Sequence, residues 1–242
     1  MPRHARVIFA GVPHHVTQRG NHRQQVFFEP GDHETYLRLL GDYASRHEIK
    51  VIAYCLMPNH VHLVVIPSTA RGLHLALKAI HGQYAQRINR VHELKGHLWQ
   101  GRFFSSALDT NYFRNAVRYV ELNPLQAGLV SKAEEYRWSS AAAHCGLRHD
   151  PLVDGRPPAI AFSDIANWSV WLSAGLSQVA SELLDRNVRK NLPCGSESFV
   201  ENLERISGRH LRHKPAGRRA EMLGPASGQA QLRLEESGNV PS

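Results

Sequence analysis

The sequence predicts an α+β fold, a split βαββαβ antiparallel sheet with helices on one face, and three of its features say so. Short β-rich runs alternate with amphipathic helical stripes in the order strand, helix, strand, strand, helix, strand, helix. The two middle strands are parted only by Met57-Pro58-Asn59, a turn of hairpin size. The other successive strands are joined through helices, which makes those connections crossovers.

Taken in order, His14–Arg19 reads as the first strand. A helix follows Asp32 and sets Tyr36, Leu39, Leu40, Tyr43 and Ala44 on one face. Ile49–Leu56 and His60–Ile66 are the hairpin strands. The next helix carries an apolar stripe of Leu73, Leu77, Ile80, Tyr84, Ile88 and Val91, and Gly96 closes it. Arg102–Leu108 reads as the fourth strand. Asp109 or Thr110 can cap a last helix running to Leu122, which Pro124 ends, so that Asn123 is expected outside the helical region. Two crossover helices on one face of such a sheet make a ferredoxin-like arrangement. That platform serves many functions, so function has to come from the site.

At 242 residues and 27.2 kDa the chain has room for one large domain, or for an ordinary one with an extension. The main domain is expected over residues 1–145 and a linker over 146–162, where Asp150-Pro151, Asp154-Gly155 and Pro157-Pro158 signal turns. A helical basic extension is expected over 163–219 and a disordered tail over 220–242. In the extension Ile165, Trp168, Leu172, Leu176, Val179 and Leu183 form one helical stripe, and Phe199, Leu203 and Ile206 mark a shorter helix. Arg205, Arg209, Arg212, Lys214, Arg218 and Arg219 crowd behind it. Such a segment either clamps a nucleic-acid stem through its phosphates or caps the sheet with a solvated basic tail.

Composition narrows the classes. With 42% hydrophobic and 21% charged residues a core can form. Mean hydropathy is −0.37, and apolar runs such as Val61–Ile66 are too short to cross a bilayer, so a membrane protein is not expected. The N-terminus, broken by Gly11 and Pro13, does not read as a signal peptide. Cys55, Cys145 and Cys194 are widely separated, which argues against a disulfide framework or a Cys-based zinc site and fits a reducing cytoplasm. The net charge is +8, with a pI near 9.7 and arginine far ahead of lysine. Arginine forks match phosphate oxygens, so a phosphate-rich partner is implied, although net charge also serves solubility.

Two short stretches carry chemistry. His60 and His62 lie two apart on one strand, so their rings share a face. They can grip one metal ion, or form a hydrogen-bonded pair in the core. Tyr119 and Asn123 are four apart on a helix and stand one above the other, beside the stripe of Phe113, Ala116, Val117 and Val120. Asn123 can supply an amide oxygen to a metal, or simply mark a helix stop before Pro124. In this topology the third strand and the last helix can pack together, which brings all four residues near one point. A phenol with a pKa near 10 is a poor nucleophile at neutral pH, but a metal that polarises a phosphodiester makes its attack feasible.

Met57-Pro58-Asn59-His60-Val61-His62-Leu63 followed by Tyr119-Val120-Glu121-Leu122-Asn123-Pro124 resembles the HUH-type single-tyrosine transposases. More closely, it is similar to the REP-associated tyrosine transposases, which are linked to repetitive extragenic palindromes. His15-Val16-Thr17-Gln18-Arg19-Gly20-Asn21, Leu98-Trp99-Gln100-Gly101-Arg102-Phe103 and Tyr136-Arg137-Trp138-Ser139-Ser140 support the likeness, which spans about residues 7–145. The resemblance implies His60 and His62 as metal ligands, Asn123 as the third ligand and Tyr119 as the nucleophile. It implies a single-stranded DNA endonuclease and strand transferase acting on hairpins, one that becomes attached to the 5′ phosphate and leaves a 3′ hydroxyl. It also implies Mg²⁺ or Mn²⁺, a monomer or homodimer, and a cytoplasmic, nucleoid-associated location. Two nitrogen ligands are softer than Mg²⁺ prefers, which favours Mn²⁺ in vitro.

Arg19, Asn21, Arg23 and Arg102 are candidates to meet phosphates or an unpaired base. Trp99 can stack on a base or lie in the core. Two other readings stand beside the transposase. One is a ferredoxin-like module that binds nucleic acid without cutting it. The other is a zinc hydrolase on His60 and His62, which lacks a third histidine or carboxylate at zinc spacing.

Overall fold

A computed structural model describes residues 7–153 and 159–213. Asp154-Gly155, Pro157-Pro158, Lys214, Arg218, Arg219 and the tail expected over 220–242 lie outside the described residues. Strands β1 (His14–Arg19), β2 (Ile49–Met57), β3 (His60–Pro67) and β4 (Phe104–Ala107) form one antiparallel sheet in the order β2-β3-β1-β4. Helices α1 (Pro30–Arg46) and α2 (Ala70–Val91) make the two crossovers, and α3 (Thr110–Gln126) follows β4. This is the split βαββαβ arrangement, with β4 shorter than its sequence pattern. The described residues through Arg212 form one compact unit. None of the described helices is long and apolar enough to cross a membrane.

The two faces of the sheet build two cores. Val16, Tyr54, Val61, Leu63 and Val65 point toward α1 and α2, where they meet Tyr36, Leu40, Leu77, Ile80 and Tyr84. Burying such side chains contributes roughly 2 kcal/mol each. The buried phenols keep hydrogen-bond partners, Tyr84 donating to the Val26 carbonyl at 2.7 Å and Tyr36 pairing with His81 Nε2 at 3.0 Å. Both crossover helices therefore share one face, as a right-handed pair of βαβ connections requires. Cys55, Met57 and Val64 point the other way, toward Phe113, Val117 and Val120 of α3. Period-two alternation along β3 puts His60 and His62 on this second face.

Local chemistry fixes where each helix starts. Glu29 and Asp32 form a reciprocal capping box on α1 with Pro30 at its first turn, Thr69 caps α2, and Asp109 Oδ1 accepts from the Tyr112 amide at 2.9 Å to cap α3. α3 differs from expectation at its end. It runs to Gln126 with Pro124 inside, so Asn123 is helical. A proline in the last turn deletes only one ladder bond. The turn is further held by the burial of Tyr119, Glu121 and Leu122 on the same helix.

Short helices α4 (Ala141–His144), α5 (Ala159–Phe162) and α6 (Trp168–Ser173) add to the second core, followed by α7 (Gln178–Lys190) and α8 (Glu197–Ser207). The stripe from Ile165 to Leu183 is thus two helices, not one. Gly175, at φ +70°, breaks it, Ser177 caps the second piece, and Val179 lies exposed. After α7 the chain runs along β4. Ser105 N donates to Asn191 Oδ1 at 3.0 Å, Ser106 Oγ to the Leu192 carbonyl at 2.6 Å, and Cys194 N to the Ala107 carbonyl at 2.8 Å. This covers an otherwise open sheet edge and anchors α7 against β1, β4 and α3.

Candidate active site

Strand register sets the floor of the site. On β3, His60 lies opposite Arg19 and His62 opposite Thr17, while His15 sits diagonal to His62 across the same pair of strands. The chain reverses tightly at the end of β1, where Gly20 N donates to the Asn59 carbonyl at 2.9 Å. A Cβ on Gly20 would stand 2.3 Å from the Gln24 carbonyl oxygen, so only glycine fits beside Arg19.

Each imidazole is held through one nitrogen. His60 Nδ1 donates to Asn59 Oδ1 at 2.6 Å, and His62 Nδ1 pairs with His15 Nε2 at 2.9 Å. The His60 and His62 rings are 4.8 Å apart and nearly perpendicular. From α3, the Tyr119 ring meets His62 edge-on at 5.6 Å and His15 at 5.7 Å. Asn123, one turn along, stands near enough for its side chain to act on both the Tyr119 hydroxyl and the His60 ring. The four residues that the sequence places together meet at one point.

The electrostatics follow from burial. His60 is pushed down to about 4, chiefly by loss of water, with Arg19 and Arg189 adding repulsion and Asn123 opposing. Burial drives His62 well below its ordinary value, with His60, His15 and the same arginines adding to it. Both rings are therefore neutral at pH 7 and keep a lone pair. Burial raises the Tyr119 phenol and Asp185 raises it further, while Asn123, Arg189 and Arg19 pull the other way. Left alone, the hydroxyl stays protonated.

Residues 10–123 match the family described as "Transposase IS200 like". Over these residues, just under half of the chain, the protein is similar to the IS200-like transposases. Among solved structures, a REP-associated tyrosine transposase bound to a REP hairpin superposes with a TM-score of 0.51 at 18% identity, covering 63% of this chain and 96% of that one. That likeness is one of fold. A candidate transposase from Deinococcus radiodurans, 19% identical and with a TM-score of 0.34, covers 50% of this chain and 96% of its own. Comparison with curated proteins gives no match.

The other candidate residues are dispersed. Arg19 is half-buried beside His60. Arg23, at φ +61°, is exposed at the 3₁₀ turn that follows β1. Asn21 and Arg102 line a separate groove of about 770 Å³ between α2 and residues 97–103. Trp99 belongs to the first core, its Nε1 donating to the His81 carbonyl at 2.9 Å. Three groups went unmarked in the sequence. His15 is one. The ion pair of Asp185 and Arg189 on α7, 2.8 Å apart and i, i+4, is another, and its charges act on Tyr119 and His60. The third is Glu121, fully buried, which accepts from Ser140 Oγ at 2.5 Å, His144 Nδ1 at 2.6 Å and Trp168 Nε1 at 2.7 Å. His15 shares a strand face with Arg19, and 185/189 is a helical ion-pair spacing; those were the available signals.

A second grouping of possible ligands, Glu29, Asp32 and His92, lies at the start of α1. Asp32 Oδ2 already accepts from the Phe28 and Glu29 amides at 2.9 and 3.2 Å and pairs with His92 Nε2 at 3.1 Å. That is helix capping.

Acid should destabilise the metal-free fold through its buried rings. His14 and His60 are depressed to about 4 and His15 to about 3, all from an ordinary 6.5. The unfolded chain takes up protons below pH 6.5 that the folded chain refuses, so stability falls as pH drops from 6.5 toward 4 and is flat above. At pH 5 each ring costs roughly 2 kcal/mol. Urea melts at half-unit pH steps should show the midpoint falling across that window; a constant midpoint would contradict the burial of these rings.

Proposed function

We propose that this chain is a metal-dependent endonuclease and strand transferase for single-stranded, hairpin-forming DNA, with Tyr119 as its nucleophile. The observation that carries this is the convergence of the Tyr119 phenol on the neutral His60 and His62 rings, with the Asn123 side chain beside the phenol and His60. The REP-associated transposase whose fold is similar is bound to a REP hairpin, which supports hairpins of repetitive palindromes as the substrate class.

The donor set fits a divalent ion. His60 Nδ1 gives its proton to Asn59 Oδ1, which leaves its Nε2 lone pair for a metal; His62 offers its own Nε2 when its Nδ1 supplies the proton of the bond to His15, and Asn123 offers an amide oxygen. Two nitrogens and one amide oxygen suit Mn²⁺, and Mg²⁺ with water completing its shell. Bound there, the ion supplies charge withdrawal from the scissile phosphate. Asn123 lies one turn along from the phenol and favours its ionised form. Arg19 and Arg189 set positive charge beside the phosphate and favour the phenolate that forms. Tyr119 Oη bonds to phosphorus and the P–O3′ bond breaks; the phenolic proton passes to solvent water and the departing 3′ oxygen takes one from solvent. The 5′ phosphate stays on the protein, and reversal by another 3′ hydroxyl transfers the strand. Arg23 and exposed Arg102 would track the backbone farther from the reacting phosphate.

Incubating labelled hairpin DNA, single-stranded or as duplex, with Mn²⁺ and running a denaturing gel tests the proposal. Protein-linked label is expected from the single strand only. His60→Ala and His62→Ala should abolish cleavage while hairpin affinity stays within about threefold. Equal loss of cleavage and binding would make the histidines structural and favour the non-catalytic binding module.

A further inference from the structure

His14 and His15 are neighbours on β1 with opposite fates. Both are fully buried. His14 faces the first core side and has two backbone partners, its Nδ1 donating to the Val12 carbonyl at 2.7 Å and its Nε2 accepting from the Phe9 amide at 3.3 Å. Its tautomer is fixed by the main chain, and its role is architectural. His15 faces the site. Its Nε2 meets His62 Nδ1 at 2.9 Å, with the two rings within 21° of coplanar, and its Nδ1 is buried with no partner.

A bond between two neutral imidazoles can run in either direction. If His15 donates, His62 carries its proton on Nε2 and has no lone pair to give an ion. If His62 donates from Nδ1, its Nε2 is bare and can ligate. A ligating histidine that gives its other N–H to an acceptor is fixed in ring orientation and made a stronger base. His60 uses Asn59 Oδ1 as that acceptor. For His62 only the Nε2 lone pair of His15 is in place.

We infer that His15 is a positioning residue: it accepts the Nδ1 proton of His62 and so holds the Nε2 lone pair toward the ion. This rests on the proposed reading of His60, His62 and Asn123 as the metal site. The same ring stands 5.7 Å from Tyr119, edge to face, so it braces the nucleophile's flank as well. Mere packing would ask only for a flat ring of this size. Acceptance of a proton asks for an atom at the Nε2 position, which the amide of glutamine reaches and that of the shorter asparagine does not.

Mn²⁺ affinity, measured by calorimetry and by electron paramagnetic resonance of the free ion, tests this without DNA. Wild type, His60→Ala, His15→Phe, His15→Asn and His15→Gln are compared, each checked by thermal melting in chelator. Loss of about 10- to 100-fold is expected for His15→Phe and His15→Asn, with His15→Gln restored to within a few-fold of wild type. If His15→Phe folds and binds Mn²⁺ like wild type while His60→Ala does not, His15 is packing only and the inference falls. If His15→Gln is as weak as His15→Phe although folded, proton acceptance is not its role. If wild type binds no better than His60→Ala, the metal site itself is wrong, a separate failure from the first two.

Discussion

Tyr119→Phe is expected to remove every trace of covalent protein–DNA product while leaving the fold and hairpin affinity in place. The ring packs edge-on against His62 and His15, and phenylalanine keeps those contacts. What is lost is one hydroxyl and its polar contact with the Asn123 side chain, a change of at most about 1 kcal/mol in stability. None of the most deeply buried phenols replaces it. Tyr36, Tyr54 and Tyr84 are buried, Tyr36 and Tyr84 in the first core beyond the sheet, and burial drives all three hydroxyls far above their ordinary value. A denaturing gel of the variant with single-stranded hairpin and Mn²⁺ should therefore show only free DNA. Cleavage surviving at wild-type rate would transfer the nucleophile to water and make the zinc-hydrolase reading the better one.

Glu121→Ala should cost the most stability of any single change in α3, about 3–5 kcal/mol. Ser140, His144 and Trp168 all aim donors at this one carboxylate, and none of the three has a route to water: Ser140 and Trp168 are buried, and the His144 side chain is fully covered. Truncation leaves the His144 and Trp168 donors empty and Ser140 Oγ with only the Tyr54 carbonyl at 3.4 Å, and opens a cavity among helices α3, α4 and α6. Glu121→Gln keeps one acceptor oxygen but turns an N–H toward a donor, so it should fall between. Chemical denaturation gives the difference directly. A loss below 1 kcal/mol for the alanine variant would mean that the network is not what pins α3. Since domains of this size hold only about 5–15 kcal/mol in reserve, Glu121→Ala should also lose Mn²⁺ binding secondarily, as the helix bearing Asn123 loosens.

The sheet was readable because its signals are local. Alternation along His60–Ile66 and the short Met57-Pro58-Asn59 turn fix register and pairing with no knowledge of the rest. Spacing also delivered the four central residues, since i, i+2 on a strand and i, i+4 on a helix are geometric facts. The helix through Asn123 was not readable. The bias against a helical residue before proline is weak, and the burial that overrides it comes from residues far along the chain. The break at Gly175 was hidden by an apolar stripe that continues in sequence across it, although Val179 is exposed. Partners separated by 47 residues, as His15 and His62 are, leave no periodic trace, and neither does the approach of Asp185 and Arg189 to a tyrosine in another helix.

Tyr119 and the imidazoles it meets belong to one polypeptide, so under the proposed chemistry the reactive centre is expected to survive dilution. Strand opening should scale linearly with protein concentration down to the nanomolar range, with no lag for subunit encounter. The same economy sets a ceiling. A single phenol can hold one phosphorus at a time, so if Tyr119 is the nucleophile as proposed, a lone copy is expected to open and reseal a strand, whereas joining two distant ends calls for a second copy or a second visit.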